Sequence, residues 1–324
     1  MYQLWPLILS LFCQLPALSQ AAAPEKSTLK LALNWKAEPQ FGGFYEASFS
    51  GLFKKHQLDV TLQEGGSGTP TIQMLASGQV DYAVVSADEI VLSRDRGAPE
   101  VVALFAVYQT NPAGIMTHEN QKFKKLEDVF RNEGTLMWQS GLPYAQYLAK
   151  KYAPLKVHSV PYLGGIGPFL KDPKSSQQCF VTSEPLAAQK AGAKVKTFLV
   201  SDSGYNPYTT VLAVRASRLK KYPEEASSMV QAVREGWRAY LADPKASNQK
   251  MAGINKAMDA KTFAASAKAQ KPLIEPTASP GQGLSSDQGL GQMSKERWET
   301  LVQQMLELKL IRQKISASSL FKDL

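Results

Sequence analysis

The sequence predicts an α/β protein of two lobes, each with a mostly parallel sheet flanked by helices. Short apolar strand patterns alternate with helical patterns along most of the chain, which is typical of parallel sheets. The length of 324 residues allows about two domains of roughly 150 residues each. A hydrophobic fraction of 44% can fill a large core, and with 20% charged residues the chain is not globally disordered.

Residues 1–21 are expected to be a secretory signal peptide. The run from Leu4 to Leu18 is almost wholly apolar but is too short to span a bilayer, and Ser19-Gln20-Ala21 fits a small-residue cleavage pattern. We expect export to the periplasm as a soluble protein, because the bulky Phe12 before Cys13 disfavours lipid attachment. The mature chain would then keep only Cys179, too few for an internal disulfide or a four-cysteine metal site.

The first part of the mature chain alternates strands and helices. Strands are predicted over residues 29–33, 58–62, 81–85 and 101–107, and helices over 47–53, 71–76 and 90–94. Ser86 and Asp88 are cap-type residues before the third of these helices. The continuous apolar run over 101–107 predicts a strand buried on both faces.

The pattern restarts after Pro112 and predicts a second sheet. Strands are predicted over residues 135–138, 157–162, 179–182, 195–200 and 210–215, and helices over 143–151, 223–241 and 295–308. The stretches 271–280 and 281–291 are predicted loops because they are rich in proline and glycine.

Signatures of catalysis, metal binding and nucleic-acid binding are missing from the sequence. It has no G-x-S-x-G, G-x-x-x-x-G-K-[ST], H-E-x-x-H, C-x-x-C or G-x-G-x-x-G motif, and His56, His118 and His158 lie far apart. The 37 Lys and Arg against 28 Asp and Glu give a net charge of +9, dispersed mostly as pairs near helix ends. We therefore expect a protein that is not an enzyme, with no cofactor, no metal and no nucleic-acid partner.

Five polar and aromatic loops each follow a predicted strand. Ligands of open α/β sheets bind beyond the carboxyl ends of strands, so these loops are the candidate binding site. The loops cover Asn34 to Phe41, Gly65 to Thr69, Ser86 to Asp88, Gln139 to Tyr144, and Ser183 to Pro185.

A set of short motifs in fixed order carries a family resemblance. They include Leu33-Asn34-Trp35, Gly43-Phe44-Tyr45, Gly51-Leu52-Phe53, Leu58-Asp59-Val60, Val80-Asp81, Arg96-Gly97-Ala98-Pro99, Ser183-Glu184-Pro185 and Tyr222-Pro223-Glu224. In these residues the chain resembles the solute-binding proteins of ABC importers for sulfonates, nitrate and thiamine pyrimidine precursors. The stretch Lys171 to Gln178 departs from the family pattern, which would place a short turn with Gly or Asp there.

This resemblance implies a two-lobed fold of the periplasmic-binding-protein type II. The first lobe would comprise residues 27–110 and 208–324, and the second lobe residues 111–207, with crossing segments near 107–111 and 205–210. The ligand would sit between the lobes, which close about a hinge. The implied partners are an ABC permease and its ATPase subunit, and the protein would act as a monomer.

Within the family, Leu33-Asn34-Trp35 followed by Glu-Pro is most similar to the branch that binds hydroxymethylpyrimidine or formylaminopyrimidine. Trp35 offers a flat face to an aminopyrimidine, and Glu184 can accept from its exocyclic amine. The candidate ligand-binding residues are Trp35, Glu38, Gln40, Phe41, Tyr45, Gly66, Ser67, Gly68, Thr69, Ser86, Asp88, Gln109, Ser140, Gly141, Tyr144, Glu184, Tyr205 and Tyr208.

Two alternatives share this fold. A carrier of a sulfonate, nitrate or another small anion would use the positive net charge and the helix N-termini for attraction. A pyrimidine-precursor synthase of the same superfamily would need a cysteine-rich motif, which this sequence lacks.

Overall fold

The structure is a computed structural model that describes residues 28–66, 68–275 and 289–324. The predicted signal peptide and Ser67 lie outside these ranges, as do residues 276–288 of the predicted loops. No helix within the described ranges is both long enough and apolar enough to cross a membrane.

The first lobe is built on a five-stranded sheet with the strand order β2-β1-β3-β10-β4. Its strands are β1 (Leu29–Ala32), β2 (Val60–Gln63), β3 (Tyr82–Val85), β4 (Val101–Tyr108) and β10 (Thr209–Arg215). Strand β1 pairs in parallel with β2 and β3, whereas β10 runs antiparallel to both β3 and β4.

The second lobe is built on a sheet with the order β7-β6-β8-β5-β9. Its strands are β5 (Ala113–His118), β6 (Thr135–Trp138), β7 (His158–Pro161), β8 (Ser175–Phe180) and β9 (Val195–Leu199). Strand β6 is parallel to β7 and β8, and β5 is antiparallel to β8 and β9. The predicted α/β class is confirmed, and in each mostly parallel sheet one strand runs against the other four.

Helices cover both sheets. They are α1 (Gly42–Phe49), α2 (Leu52–Lys55), α3 (Thr71–Ser77), α4 (Ala87–Asp95), α5 (Leu126–Arg131), α6 (Pro143–Lys151), α7 (Gly167–Lys171), α8 (Glu184–Lys190), α9 (Ala216–Lys221), α10 (Pro223–Ala242), α11 (Lys245–Ile254), α12 (Ala260–Ile274) and α13 (Lys295–Glu307). Of the two cap-type residues predicted before α4, Ser86 is the N-cap, and Glu89 bonds back to it to form a capping box.

Three predicted elements differ from the structure, and one strand was not predicted. The helix predicted over 47–53 is two helices, because Gly51 adopts a left-handed φ of 71° between them. The strand predicted over 179–182 lies at Ser175–Phe180, and the strand Ala113–His118 was not predicted. Residues 271–274, predicted as loop, form the last turn of α12: Pro272 removes only one helix hydrogen bond, and Ile274 is buried.

The close contact between α1 and α10 sets the position of the loop that precedes α1. A Cβ atom at Gly43 would lie 2.2 Å from the Trp237 ring, and one at Gly236 would lie 2.2 Å from the Gly43 carbonyl oxygen. Both positions therefore require glycine for the two helices to approach this closely. Trp237 is fully buried in this contact and packs edge-on against Phe44 and Tyr240.

The chain crosses between the two sheets twice, after β4 and before β10. Arg297 of α13 ties both crossings together. Its guanidinium donates to the carbonyl oxygens of Gln109 in the first crossing and Asn206 in the second, each at 2.6 Å, and stacks 3.8 Å from the Tyr208 ring centroid. The two lobes are thus joined at a braced pair of segments beside the cleft.

Candidate functional site

A cleft between the lobes contains two adjoining cavities. The first, which we call the main cavity, has a volume of about 440 Å³ and is lined by residues of both lobes. The second, which we call the hinge cavity, has a volume of about 330 Å³ and includes Asn111 and Pro207 of the crossing segments. Asn34, Phe180 and Thr209 line both cavities, so the two form one continuous cleft.

The first lobe supplies the loop after β1 to the main cavity. Trp35, Glu38 and Gln40 line it. The Trp35 indole nitrogen donates to Glu38 Oε1 at 3.2 Å, and Trp35 stays 36% exposed, so a face of its ring remains available to a ligand. The tryptophan predicted as a stacking surface therefore lies in the cleft wall.

Three distant elements hold this loop in place. Gln270 Nε2 of α12 donates to the Pro39 carbonyl at 2.9 Å, and Gln270 Oε1 accepts from the Tyr108 hydroxyl at 2.8 Å. Asn255 Nδ2 donates to the Ala37 carbonyl at 3.2 Å. Because Gln270 is fully buried, its bonds fix the loop from the core side of the first lobe.

The second lobe supplies the start of α8 and the end of β8. Glu184 Oε2 accepts from the Phe180 amide at 2.8 Å, and Glu184 Oε1 accepts from the Tyr162 hydroxyl at 3.2 Å. Gln178, Phe180 and Thr182 are spaced by two residues, so they share one face at the end of β8 and line the main cavity together.

A local network orients Gln178. Its Oε1 accepts from the Gln139 amide at 2.6 Å and from the Tyr144 hydroxyl at 2.9 Å, and its Nε2 donates to Gln139 Oε1 at 3.0 Å. The amide group of Gln178 is therefore held in one orientation in the cavity wall.

The pKa values of acidic groups in the cleft are shifted in the opposite direction from those of several acidic groups elsewhere. Burial raises the pKa of Glu38 to about 7, and it also raises the pKa values of Asp88, Glu89 and Glu184 above their usual range. Five carboxyl groups outside the cleft have lowered pKa values instead, because hydrogen bonds from lysine, arginine or backbone amides outweigh burial; these are Asp95, Glu127, Asp128, Glu235 and Asp259. Perturbed pKa values of this kind mark a functional site.

No lysine, arginine or histidine of the described residues lines either cavity. The described basic side chains that contribute to the net positive charge of the chain therefore do not line the cleft. Glu38 from the first lobe and Glu184 from the second line the same cavity, and the charge of Glu184 contributes to the raised pKa of Glu38. The cleft is built to receive hydrogen-bond donors.

Thr210 adds a strained residue to the wall of the main cavity. Its φ of 53° lies in the left-handed region, which is unusual for a β-branched residue. Strain of this kind is found where surrounding structure holds a functional wall in place.

Eight of the predicted site residues line the cleft. Trp35, Glu38, Gln40 and Glu184 line the main cavity, and Ser86, Asp88, Tyr144 and Tyr205 line the hinge cavity.

The other predicted residues that the structure describes line neither cavity. Phe41 and Tyr45 are buried in the core, and Tyr208 is buried with its hydroxyl accepting from the Ser294 amide. Gln109 belongs to the braced first crossing. Gly66, Gly68 and Thr69 lie in a loop in which the Gly66 amide bonds Thr69 Oγ1, Ser140 and Gly141 are exposed, and Ser67 lies outside the described residues.

Several cleft residues were not predicted. They include Tyr162, Gln178, Phe180, Thr182, Thr209, Thr210 and Ser266. The spacing of two between Gln178, Phe180 and Thr182 was the available signal, and it was hidden because the strand was predicted to begin at Cys179. Ser266, on α12, had no local signal in the sequence.

Two α/β lobes of matching topology around a ligand-sized cleft define a periplasmic-binding-protein-like fold. The chain belongs to the NMT1/THI5 like family, whose model matches residues 38–154 and 168–247, more than half of the chain.

Solved structures with this fold include several binding proteins. The periplasmic aliphatic sulphonate binding protein SsuA from Escherichia coli is similar at a TM-score of 0.69 and 15% identity, over 90% of this chain and 91% of that one. The periplasmic nitrate-binding protein NrtA from Synechocystis PCC 6803 is similar at 0.65 and 14%, over 93% and 87%. The Candida albicans CA3427 gene product is similar at 0.61 and 14%, over 91% and 96%. No curated protein sequence matches the chain.

Proposed function

We propose that this protein is an extracytoplasmic solute-binding protein of an ABC importer that captures a small aromatic thiamine precursor, hydroxymethylpyrimidine or formylaminopyrimidine. One observation carries the proposal. Glu38 and Glu184, from opposite lobes, line one cavity together with Trp35, and no basic side chain of the described residues lines it.

The chemistry of an aminopyrimidine fits this wall. Its exocyclic amine donates hydrogen bonds, which a carboxylate accepts, and its ring nitrogens accept. Glu184 serves as the acceptor. Because burial raises the pKa of Glu38 to about 7, that carboxyl is partly protonated near neutral pH and can donate to a ring nitrogen. Trp35 provides a flat apolar surface for the ring.

A small anion is a poorer fit to the same wall. Its negative charge would face Glu38 and Glu184, and no basic side chain of the described residues lines the cavity to balance it. At the start of α8 the amides of Leu186 and Ala187 already donate to the Ser183 carbonyl. The sulfonate or nitrate carrier therefore remains the second candidate, supported by the fold it shares with SsuA and NrtA.

A synthase of the superfamily has less support in the site. The only cysteine of the described residues is Cys179, a free thiol that is buried and whose pKa burial raises well above its usual range. A buried thiol of raised pKa is unreactive. Binding and release by hinge motion require no covalent step.

Lobe closure is supported by a contact across the cleft mouth. Lys190 at the end of α8 bonds Asp259, the N-cap of α12, and Ala187 and Ser266 of these two helices line the main cavity. The helices that contact the ligand space thus also join the lobes. A permease and its ATPase subunit are the proposed partners, and the periplasm is the proposed location.

Isothermal titration calorimetry tests the proposal. Residues 22–324 would be titrated with hydroxymethylpyrimidine, formylaminopyrimidine, taurine, an alkanesulfonate and nitrate. We expect binding of the pyrimidines alone, and a loss of at least about tenfold in affinity for Glu184→Gln, since a charged hydrogen bond is lost. Glu299→Gln on α13, outside the cleft, should match the wild type. Binding confined to sulfonates or nitrate would show that the ligand is an anion.

A further inference from the structure

The hinge cavity is a second acidic space that the pyrimidine does not use. Asp88 and Glu89, adjacent at the start of α4, line it together with the N-cap residue Ser86. Much of the remaining wall is apolar, including Leu92, Pro143 and Val200. Two neighbouring carboxyl groups in a largely apolar space lack a compensating positive charge.

Tyr205 provides an independent indication of a ligand. It is 1% exposed and lines the hinge cavity. Its hydroxyl lies beside Asp88, yet it makes no hydrogen bond of normal geometry with a described residue. Buried polar groups usually have a partner, so this hydroxyl is available to a molecule in the cavity.

The N-terminus of α4 does not make this an anion site. The amides of Ser86 and Glu89 already donate to the Glu89 and Asp88 carboxylates at 2.8 and 3.0 Å, and the Ala87 amide donates to the Tyr208 carbonyl at 2.9 Å. The carboxylates therefore occupy the positions that a bound anion would take.

A positive charge would complete this cavity. Burial raises the pKa values of both Asp88 and Glu89, which means that their ionised forms are poorly stabilised in the unliganded protein. A cation next to them would stabilise both ionised carboxyl groups. Asn34, Phe180 and Thr209 also line the main cavity, so one ligand can extend from there into the hinge cavity.

We propose that the hinge cavity is a second subsite that takes a cationic group, so that an aromatic amine joined to a positively charged part binds more tightly than the same amine joined to a neutral part. This inference rests on the proposed function, because the aromatic amine is placed in the main cavity. The charged part would contact Asp88 and Tyr205, and also Asn111 and Pro207 of the two crossing segments. Occupation of the subsite would therefore bear directly on the hinge.

The test compares two probes of the same shape. Thiamine carries an aminopyrimidine and a cationic thiazolium ring, and 3-deazathiamine carries a neutral thiophene ring in its place. Calorimetric titration of the wild type with both, and with hydroxymethylpyrimidine, should show thiamine binding at least about tenfold more tightly than 3-deazathiamine. Asp88→Asn should remove this preference, whereas Glu299→Gln should retain it.

The outcomes separate the two proposals. If hydroxymethylpyrimidine binds but thiamine and 3-deazathiamine bind equally to the wild type, the cationic subsite is overturned and the proposed function stands. A thiamine preference that persists in folded Asp88→Asn would overturn the role of this carboxylate. If no pyrimidine binds, the proposed function fails and the subsite with it. The comparison in the wild type needs no variant, so a misfolded Asp88→Asn would not obscure it.

Discussion

The two sheets have the same topology but different interiors. In the first lobe the central strand β3 is hydrophobic, with Tyr82, Ala83, Val84 and Val85 all buried. In the second lobe the central strand β8 reads Ser-Ser-Gln-Gln-Cys-Phe, with its first three polar residues buried. Strand order therefore does not require an apolar centre. The central strand of the first sheet is buried through hydrophobic side chains, whereas the first half of β8 is buried through polar ones.

The local bonds of β8 explain how its polar residues are tolerated. Ser175 Oγ donates to the Asp172 carbonyl at 2.6 Å, and Gln177 Nε2 donates to the Gly165 carbonyl at 3.1 Å. Buried polar groups cost little when they are paired in this way. The same strand then supplies Gln178 and Phe180 to the cleft, so the second lobe combines a polar interior with much of the ligand surface.

Core truncation should give the largest contrast between the lobes. Trp237→Ala, in the contact between α1 and α10, should lower the free energy of unfolding by about 5 kcal/mol, the upper end for such substitutions. Phe169→Ala, in a small apolar cluster on the sheet of the second lobe, should cost about 3 kcal/mol. Urea denaturation measures both. Equal losses would show that this small cluster is as sensitive to truncation as the contact between α1 and α10.

Exchanging polarity in an interior strand of each sheet, β10 in the first and β8 in the second, should separate the lobes further. Leu212→Gln would bury an unpaired amide in the first sheet and should cost about 3 kcal/mol. Gln177→Met should change stability by less than about 1 kcal/mol, because Gln177 Oε1 is buried without a partner and the volumes are similar. A large loss in Gln177→Met would mean that its bond to Gly165 is essential to the second lobe.

This contrast also explains what could be predicted from sequence. The apolar strands Val101–Tyr108 and Thr209–Arg215 were predicted to within one residue, because burial on both faces leaves a continuous apolar signal. Strand β8 was displaced toward Cys179 because its polar half gives no such signal. Its first residues lie in the stretch 171–178 that departs from the family pattern. Side-chain pairing through tertiary structure decided this strand, and a single sequence does not reveal that pairing.

The residues of the candidate site also divide into those that the sequence predicts correctly and those that it does not. Trp35, Glu38 and Glu184 follow strands that were predicted, and the rule that ligands bind beyond strand ends placed them in the cleft. Tyr45 and Tyr208 were chosen as aromatic residues near the same loops, but both are buried. Which side of a loop an aromatic residue faces depends on packing that sequence order does not determine.

The pH dependence of stability should distinguish the two walls of the cleft. Burial raises the pKa of Glu38, in the first lobe, to about 7 from 4.5. The neutral form is favoured in the folded protein, so its contribution is fully present below pH 4.5 and is lost as the pH rises through 7. Between these values the wild type should lose up to about 2 kcal/mol, allowing for partial exposure.

Two matched variants test whether this loss of stability comes from the Glu38 carboxyl. Glu38→Gln should reduce the decrease in unfolding free energy, measured by urea denaturation at successive pH values, by the share of this carboxyl, up to about 2 kcal/mol. Glu299→Gln, on the exposed face of α13, should retain it. A decrease of the same size in Glu38→Gln would locate the titrating group elsewhere, for example at Glu184, whose pKa burial also raises.

The smallest expected effects come from removing hydrogen bonds that support each wall of the cleft. Gln270→Ala would remove the buried bonds to Pro39 and Tyr108 behind the first wall, and should weaken pyrimidine binding about fivefold, since one net hydrogen bond is worth about 1 kcal/mol. Tyr162→Phe would remove a single 3.2 Å bond to Glu184 in the second wall, and should weaken binding about twofold.

Whether Gln270→Ala or Tyr162→Phe weakens binding more tests the comparison of the two lobes at the binding site. The first wall is a loop that depends on distant braces, so losing one brace moves Trp35 and Glu38 together. Glu184 keeps its bond from the Phe180 amide when Tyr162 is changed, and this amide belongs to the paired strand β8. If Tyr162→Phe weakened binding more than Gln270→Ala, the second wall would depend on side-chain support and the first would be rigid without it.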